Sequence, residues 1–441
     1  MLSNRTLYDL DIFSHDDSKT CLFDILDNCK TKKGRSILKD MCFFKNISSK
    51  IIIQRQEALK YICHDITRWN FSITENEVFY AQRYLESNYT TERRLNIVVL
   101  TAKHFIKTSR YYFILSGIRQ ISLIITAIQK LYQKAYSVNV PDILKELFNA
   151  IHLQLNELQM NEVSLKEITH GSPSRKLIFE TDKKFRGALK HVLHTLLELY
   201  STLEAYYSLA IANSKLNLCF PEFASNATEL FIENLTHPLI QNCIANTIRF
   251  ENSTHALILT GPNMAGKSSF IKSIGLAYFM SYIGMGISAT SGRLPFVDEL
   301  FTNINIEDDI GTGTSYFFNE VQHLKEVATA IHSGKKILLI ADELFKGTNA
   351  KDALDCSMVV INGFLNYPDN LYILSTHTTE VADVFKDNDQ CLLKYFDAEV
   401  KNDHIIFSHK LKDGVSYLRL GMHILKKQNF GELLGVNLLS L

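Results

Sequence analysis

Nothing in the 441-residue sequence announces a global electrostatic field. Its 47 Lys and Arg are matched by 47 Asp and Glu, a formal net charge of zero. A chain-wide basic surface for nucleic acid is thereby excluded, and any asymmetry is local. Residues 1–236 carry 30 basic and 25 acidic side chains, and residues 237–441 carry 17 and 22, so a nucleic-acid contact would lean towards the first part. The eight cysteines (Cys21, Cys29, Cys42, Cys63, Cys219, Cys243, Cys356, Cys391) include no C-x-x-C pair. That rules out zinc spacing and a disulfide framework, and leaves reduced core thiols of an intracellular protein. The N-terminus, MLSNRTLYDLDIF, lacks the apolar core of a secretion signal. No uncharged run reaches membrane-spanning length, since the nearest, Tyr111–Ile128, is interrupted by Arg119. These absences predict a cytoplasmic protein with no membrane partner.

What is present is ordinary in bulk and specific in one place. A hydrophobic content of 46% with 21% charged residues describes a globular chain with room for roughly two to four domains. The specific stretch is Ala256–Ser273, ALILTGPNMAGKSSFIKS. The apolar run Ala256–Thr260 leads into Gly261-Pro262-Asn263-Met264-Ala265-Gly266-Lys267-Ser268 and then, after Ser269, into a helical pattern. This is G-x-x-x-x-G-K-[ST] in its required context, with a strand before and a helix after. Phosphate oxygens need many donors at short range. Gly261 and Gly266 let the backbone turn and bring its N–H groups close. Lys267 supplies a mobile charge for the outer phosphates, Ser268 a hydroxyl for magnesium, and the helix its positive end. The stretch predicts an ATP site with Mg2+.

The first part reads as helices. Leu22, Ile25 and Leu26, then Ile37, Leu38 and Met41, fall at helical spacing. Lys30, Lys32, Lys33, Arg35 and Lys39 cluster, and a solvated helix end explains them better than a phosphate contact. Residues 75–137 contain no proline and a single glycine, Gly117, and Leu95–Ala135 is apolar on more than one face, as in a helix buried among others. Breaks are expected at Asn139–Asp142, with Asp142 as N-cap, and at Gly171–Arg175. Residues 183–214 read as one long helix with Leu189, Val192, Leu193, Leu196 and Leu197 on one side. Lys183, Lys184, Arg186 and Lys190 would form a second solvated basic face.

After Glu222 the pattern changes. Thr236–Ile240 and Cys243–Phe250 read as short strands. Apolar runs then alternate with helical patterns at Ala256–Thr260, Leu300–Ile306, Lys336–Ala341, Leu371–Ser375, Cys391–Phe396 and His404–Ser408. The last two flank Lys401-Asn-Asp403 and predict a hairpin. The alternation predicts a sheet covered by helices, with phosphates at the carboxyl ends of its strands. Lys336–Ala341 ends in Asp342 and Glu343. Asp342 suits a magnesium ligand, and Glu343 suits a base that orients the attacking water. Leu371–Ser375 leads to His377, which suits a contact to the terminal phosphate or the water. Asp308–Phe317 opens a helix running to about Ile331, with Gly311 and Gly313 in the turn and Ser315 as its cap.

Assembled, these residues resemble the MutS family of DNA mismatch-repair ATPases. TGPNMAGKSS is similar to the family's TGPNMGGKST, with Ala265 for a glycine and Ser269 for a threonine. Ala341–Leu354 resembles MDE-x-x-x-GTS-x-x-DG and keeps Asp342, Glu343, Gly347, Thr348 and Asp352. Asp308, Asp309, Gly313, Ser315, Phe317 and Glu320 resemble DDL-x-x-G-x-STF-x-x-E, with Tyr316 for a threonine. Ser375-Thr376-His377 resembles ATH, and His237-Pro238 with Asn246 resembles the HP and N motif that opens the ATPase domain. Thr6–Phe13, Leu22–Leu26 and Thr31–Leu38 are similar to the start of the family's core helical domain. The resemblance implies an α + α/β protein: an all-helical lever domain over residues 1–235, then a P-loop ATPase domain of ABC type with a mixed sheet over 236–441. It implies a homodimer with composite sites, in which the partner subunit's Ser315 reaches the γ-phosphate, and long helices that carry nucleotide state to a DNA clamp. The family's mismatch-reading and connector domains are expected to have no counterpart in this sequence, and the clamp insertion would be reduced. The expected function is therefore ATP hydrolysis coupled to DNA binding, with an ATP-dependent protein scaffold as the alternative.

Overall fold

The computed structural model describes residues 3–418 apart from 15, 17–18, 44–47, 88–108, 161, 225–228, 252, 305–315, 347 and 402–403. They form two compact units interleaved along the chain. One is Ile25–Phe43 with Ile53–Lys215; the other is Met1–Asp24, Phe44–Ile52 and Leu216–Leu441. The first is helical among its described residues, and the second holds the strands, so the fold class is α + α/β.

In chain order the first helices are α1 Asn4–Asp9, α2 Leu22–Leu26, α3 Lys32–Cys42, α4 Ser49–His64, α5 Glu75–Glu86, α6 Ser109–Ala135, α7 Asp142–Leu158, α8 Glu162–His170, α9 Arg175–Arg186 and α10 Lys190–Lys215. Their starts have local causes. Thr31 caps α3 by accepting from the Gly34 N–H, and Thr74 and Glu77 form a reciprocal capping box on α5. Inside the helical unit α10 packs on α3 and α7, while α6 packs on α5, α8 and α9. The buried Glu204 of α10 accepts from the Lys30 N–H at 2.9 Å and the Thr31 hydroxyl at 2.5 Å, so its charge is spread over the α3 start.

Gly117, the lone glycine noted above, has a steric cause. A Cβ there would lie 2.2 Å from the Tyr84 ring, so α5 and α6 approach only because that side chain is missing. The Tyr84 hydroxyl donates to Asp182 at 2.5 Å, and Asp182 also takes the Arg186 guanidinium. By length and composition Tyr111–Ala135 within α6 could cross a membrane, despite Arg119. In this fold its Ile114, Ile118, Ile121, Ile125 and Ile128 are buried among helices, and Arg119 donates to the carbonyls of Ile168 and Gly171.

Four local expectations are corrected. Asp142 is the first residue of α7, and Pro141 takes the N-cap position, its fixed φ being suited to a helix entrance. Residues 183–214 are two helices, because the chain turns at Gly187, whose N–H and that of Leu189 both return to the Lys184 carbonyl. Arg186 is not on a solvated face, since its side chain is only 10% exposed against Asp182. Thr236–Ile240 is a turn closed by the Ile240 N–H on the His237 carbonyl, and only Asn246–Arg249 of the next stretch is a strand.

The sheet-bearing unit contains β1 Glu222–Ala224, β2 Phe231–Leu235, β3 Asn246–Arg249, β4 Ala256–Thr260, α11 Lys267–Tyr282, β5 Ser291–Pro295, β6 Glu299–Asn303, α12 Tyr316–His332, β7 Ile337–Asp342, α13 Ala350–Leu365, β8 Leu371–Ser375, α14 Thr379–Val384, β9 Cys391–Lys401 and β10 His404–Asp413. A six-stranded sheet has the order β10-β9-β4-β8-β7-β6, parallel from β9 to β6, with β10 antiparallel to β9 in the expected hairpin. β4 and β8 are buried at every position, and β7 at all but its last, as a parallel strand covered on both faces requires. On one face Ile258, Leu339 and Leu374 meet Leu324, Val327 and Ile331 of α12 and Ile361 and Phe364 of α13. α11 packs on β7 and β8. A smaller sheet has the order β1-β5-β2-β3. Sequence reading missed β1, β2 and β5, whose mixed-polarity strands carry no clear period.

Candidate functional site

Strand order, not chain order, builds the site. β8 lies between β4 and β7, so the segments leaving the carboxyl ends of these three parallel strands are neighbours. They are Gly261–Gly266 after β4, Asp342–Glu343 at and after β7, and Thr376–His377 after β8. A switch in strand order is where open sheets of this kind bind ligands.

The loop after β4 is shaped by two left-handed glycines, Gly261 (φ 136°) and Gly266 (φ 110°), with Met264 also left-handed (φ 66°) and exposed. A Cβ on Gly261 would lie 2.8 Å from the Phe396 carbonyl oxygen of β9. Pro262 and Ala265 are buried, Asn263 is exposed, and Gly266 stands just before the first turn of α11. That turn has no side-chain cap. Lys267 is buried, and its Nζ donates to the carbonyls of Gly261 (2.7 Å) and Pro262 (3.1 Å) and meets His377 Nδ1 at 3.3 Å. Burial pushes the Lys267 ammonium down to about 8; Asp342 and Glu343 oppose the shift and Lys346 adds to it.

Ser268 is exposed, and its hydroxyl donates to Asp342 Oδ2 at 2.5 Å, while the Ser375 hydroxyl donates to Asp342 Oδ1. Ser269 is half-buried and its carbonyl accepts from Ser273 at 2.7 Å. Glu343 is left-handed (φ 65°), its N–H donating to the Ser375 carbonyl at 3.0 Å. Its carboxylate stands 3.8 Å from His377 Nε2, both side chains about a third exposed. Burial, then the Lys267 charge, pushes the His377 imidazole down, against Glu343 and Asp342. A neutral ring accepting from Lys267 at Nδ1 carries its proton on Nε2, facing Glu343.

Lys267, Ser268, Asp342, Glu343 and His377 are thus brought together from three separated segments. Ser315, with Asp308, Asp309, Gly311 and Gly313, lies outside the described residues, as does Gly347. Asp352 sits in the first turn of α13, where it exchanges hydrogen bonds with the capping Asn349. His237 is buried in its turn, where burial, then Lys272, pushes it down to about 4. Asn246 grips the bulge of β10, donating to the His409 carbonyl at 3.0 Å and accepting from the Leu411 N–H at 2.8 Å. That puts His409 Nδ1 3.0 Å from the Ala265 carbonyl of the loop. Sequence reading missed His409 and the hydroxyl role of Ser375; the first has no signal in an alternating edge strand.

Two oxygens, the Ser268 hydroxyl and the Asp342 carboxylate, share a point beside the loop. Such hard donors in small number suit a magnesium ion that keeps waters and takes the rest of its shell from phosphate. Among the described residues there is no group of three or more His, Cys, Asp or Glu that could hold a metal alone.

Comparison with known proteins bears on this arrangement directly. Residues 257–434 match the family model MutS domain V. The chain is 29% identical over 241 residues to the DNA mismatch repair protein MutS of Thermotoga maritima, covering 54% of this chain and 30% of that protein. It is 28% identical over 293 residues to that of Lactobacillus delbrueckii subsp. bulgaricus, covering 64% and 33%. It is 30% identical over 233 residues to that of Petrotoga mobilis, covering 52% and 28%. The match spans about a third or less of the length of these relatives. The domain V match over residues 257–434 and these relatives agree with the motifs lining the three strand ends and support membership of the MutS family.

Proposed function

We propose that the chain binds and hydrolyses ATP with magnesium in a mismatch-repair setting, and that it engages DNA through its helical part. The observation that carries this reading is the convergence of Lys267, Ser268, Asp342, Glu343 and His377 at adjacent strand ends. The loop and the start of α11 present backbone donors to phosphates, and Lys267 is charged where a phosphate would meet it. Ser268 and Asp342 would hold Mg2+, which when bound neutralises charge developing on the phosphates. Glu343, partly exposed and held by the Ser375 carbonyl, is the base that orients water. His377 links it to Lys267, so the presence of a terminal phosphate would be felt by both.

The composite dimer site, with Ser315 supplied by a second subunit, and the coupling of nucleotide state to a DNA clamp rest on the family resemblance. So does the division into a lever domain (1–235) and a P-loop ATPase domain of ABC type (236–441). One observation favours the scaffold alternative. The basic cluster of the first part is paired with acids, Lys32 with Glu75, Lys33 with Glu198 and Arg35 with Asp27, which thins the case for phosphate contacts there.

Two measurements test the proposal. Steady-state hydrolysis should require magnesium, and Glu343→Ala should keep ATP binding while slowing turnover by roughly two to four decades. No turnover in the wild type, or an unaffected variant, defeats the enzyme reading. Binding to homoduplex, mismatched and branched DNA across a salt series should give a steep negative slope of log affinity on log salt, and a flat line favours the scaffold.

A further inference from the structure

The acid loop after β7 is bent through two left-handed residues that are not glycine, Glu343 (φ 65°) and Phe345 (φ 61°). Such a turn persists only where its surroundings hold it. Glu343 is held by the Ser375 carbonyl. Phe345 is held from another element, because its N–H donates to Oε1 of Glu320 on α12 at 2.8 Å.

Glu320 has no exposed surface, an expensive place for a carboxylate. Its Oε1 also accepts from Asn303 Nδ2 at 2.8 Å. Asn303, at the end of β6, cannot turn its amide over, since its Oδ1 takes the Arg5 guanidinium at 3.1 Å. Arg5, on α1, lies 3.8 Å from Asp9. Burial pushes the Glu320 carboxyl up, against the Phe345 N–H, the Asn303 amide and the charges of Lys346 and Arg5. Arg5, Asn303 and the acid loop are therefore joined through Glu320 Oε1, while Glu320 Oε2 is buried without a hydrogen-bond partner among the described residues, all within the sheet-bearing unit.

We propose that Glu320 is a positioning residue for Glu343: through the Phe345 N–H it holds the acid loop in its left-handed turn, and Asn303 and Arg5 fix the Glu320 carboxylate that does so. This rests on the reading of Glu343 as the water-orienting base, so two readouts are needed, one of them independent of turnover. The first is hydrogen exchange at the Phe345 amide in the full chain. Glu320→Ala should speed it about tenfold or more, and Asn303→Ala should speed it less. The second is kinetic. Glu320→Ala should lower kcat about tenfold or more with KM for ATP within about threefold, while Glu320→Gln, which keeps an oxygen acceptor, should stay within about threefold of wild type in both.

Unchanged amide exchange in folded Glu320→Ala overturns the proposal. So does a Glu320→Gln as defective as the alanine variant, or a loss that appears in KM instead of kcat. If Glu320→Ala does not fold, Asn303→Ala decides it: faster Phe345 amide exchange with a lowered kcat supports the proposal, and exchange and kcat both equal to wild type overturn it. A wild type without turnover would sink the ATPase reading, and the exchange measurement would still decide the positioning role.

Discussion

Replacing Lys267 with methionine should make the nucleotide-free protein more stable while removing its response to ATP. Lys267 is 6% exposed, and its pKa falls from 10.5 to about 8, mainly through burial. That shift corresponds to a penalty of about 3 kcal/mol for carrying the charge folded at pH 7. The Gly261 and Pro262 carbonyls would lose their donor, at a cost of about 1 kcal/mol each. The net gain is about 1 kcal/mol, or roughly 2–4 °C in melting temperature for a unit of this size.

The pH dependence follows from the same two values. Between about 8 and 10.5 the unfolded chain binds the proton that the folded chain has released, so wild-type stability rises with pH through that window. Below 8 the penalty is complete, and above 10.5 it is gone. The advantage of Lys267→Met should therefore be largest below pH 8 and shrink by about 3 kcal/mol towards pH 10.5. Chemical denaturation of both proteins at pH 7, 8, 9 and 10 measures it. Calorimetry in two buffers of different ionisation enthalpy adds a second reading, because ATP binding at pH 8 should take up about half a proton as Lys267 recharges. A methionine variant destabilised at pH 7, with a stability difference flat in pH, would refute the reasoning.

Other outcomes follow from single contacts. His237 is 5% exposed, and its folded pKa of about 4 lies below the ordinary 6.5, so wild-type stability should fall by about 1 kcal/mol between pH 7.5 and 5.5 as the unfolded chain takes up the proton. His237→Gln should flatten that decline in denaturation midpoints, and an unchanged slope contradicts the assignment. Gly261→Ala places a methyl 2.8 Å from the Phe396 carbonyl at a φ of 136°, so a loss of about 2–4 kcal/mol and failure to bind a fluorescent ATP analogue are expected. A variant within about 0.5 kcal/mol of wild type would show that the loop relaxes freely.

Much of this protein is written in short-range patterns. Runs such as Leu257–Leu259, Leu338–Ile340 and Tyr372–Leu374 are apolar without alternation because a covered parallel strand buries both faces, and each is legible as a strand from the sequence alone. The loop Gly261–Ser268, the acids Asp342 and Glu343, and His377 follow these runs directly, so their place at strand ends was readable too. The breaks were less so. Gly187 interrupts a pattern whose apolar spacing continues across it, and Asp142 looks like a cap until Pro141 takes that position.

Local patterns are silent on which strands become neighbours. Placing β8 between β4 and β7 is a long-range pairing choice, and it alone brings His377 to Lys267 across 110 residues of chain and Asp342 to Ser268 across 74. The same holds for Arg5 on Asn303, 298 residues apart, and for Asn246 reaching into the β10 bulge. The helical unit repeats the lesson at Gly117, which no periodicity explains and which the Tyr84 ring does. Periodicity and capping are set by forces acting over a few residues. Strand order and side-chain convergence depend on how the whole apolar surface is buried at once, and that appears only in the folded chain.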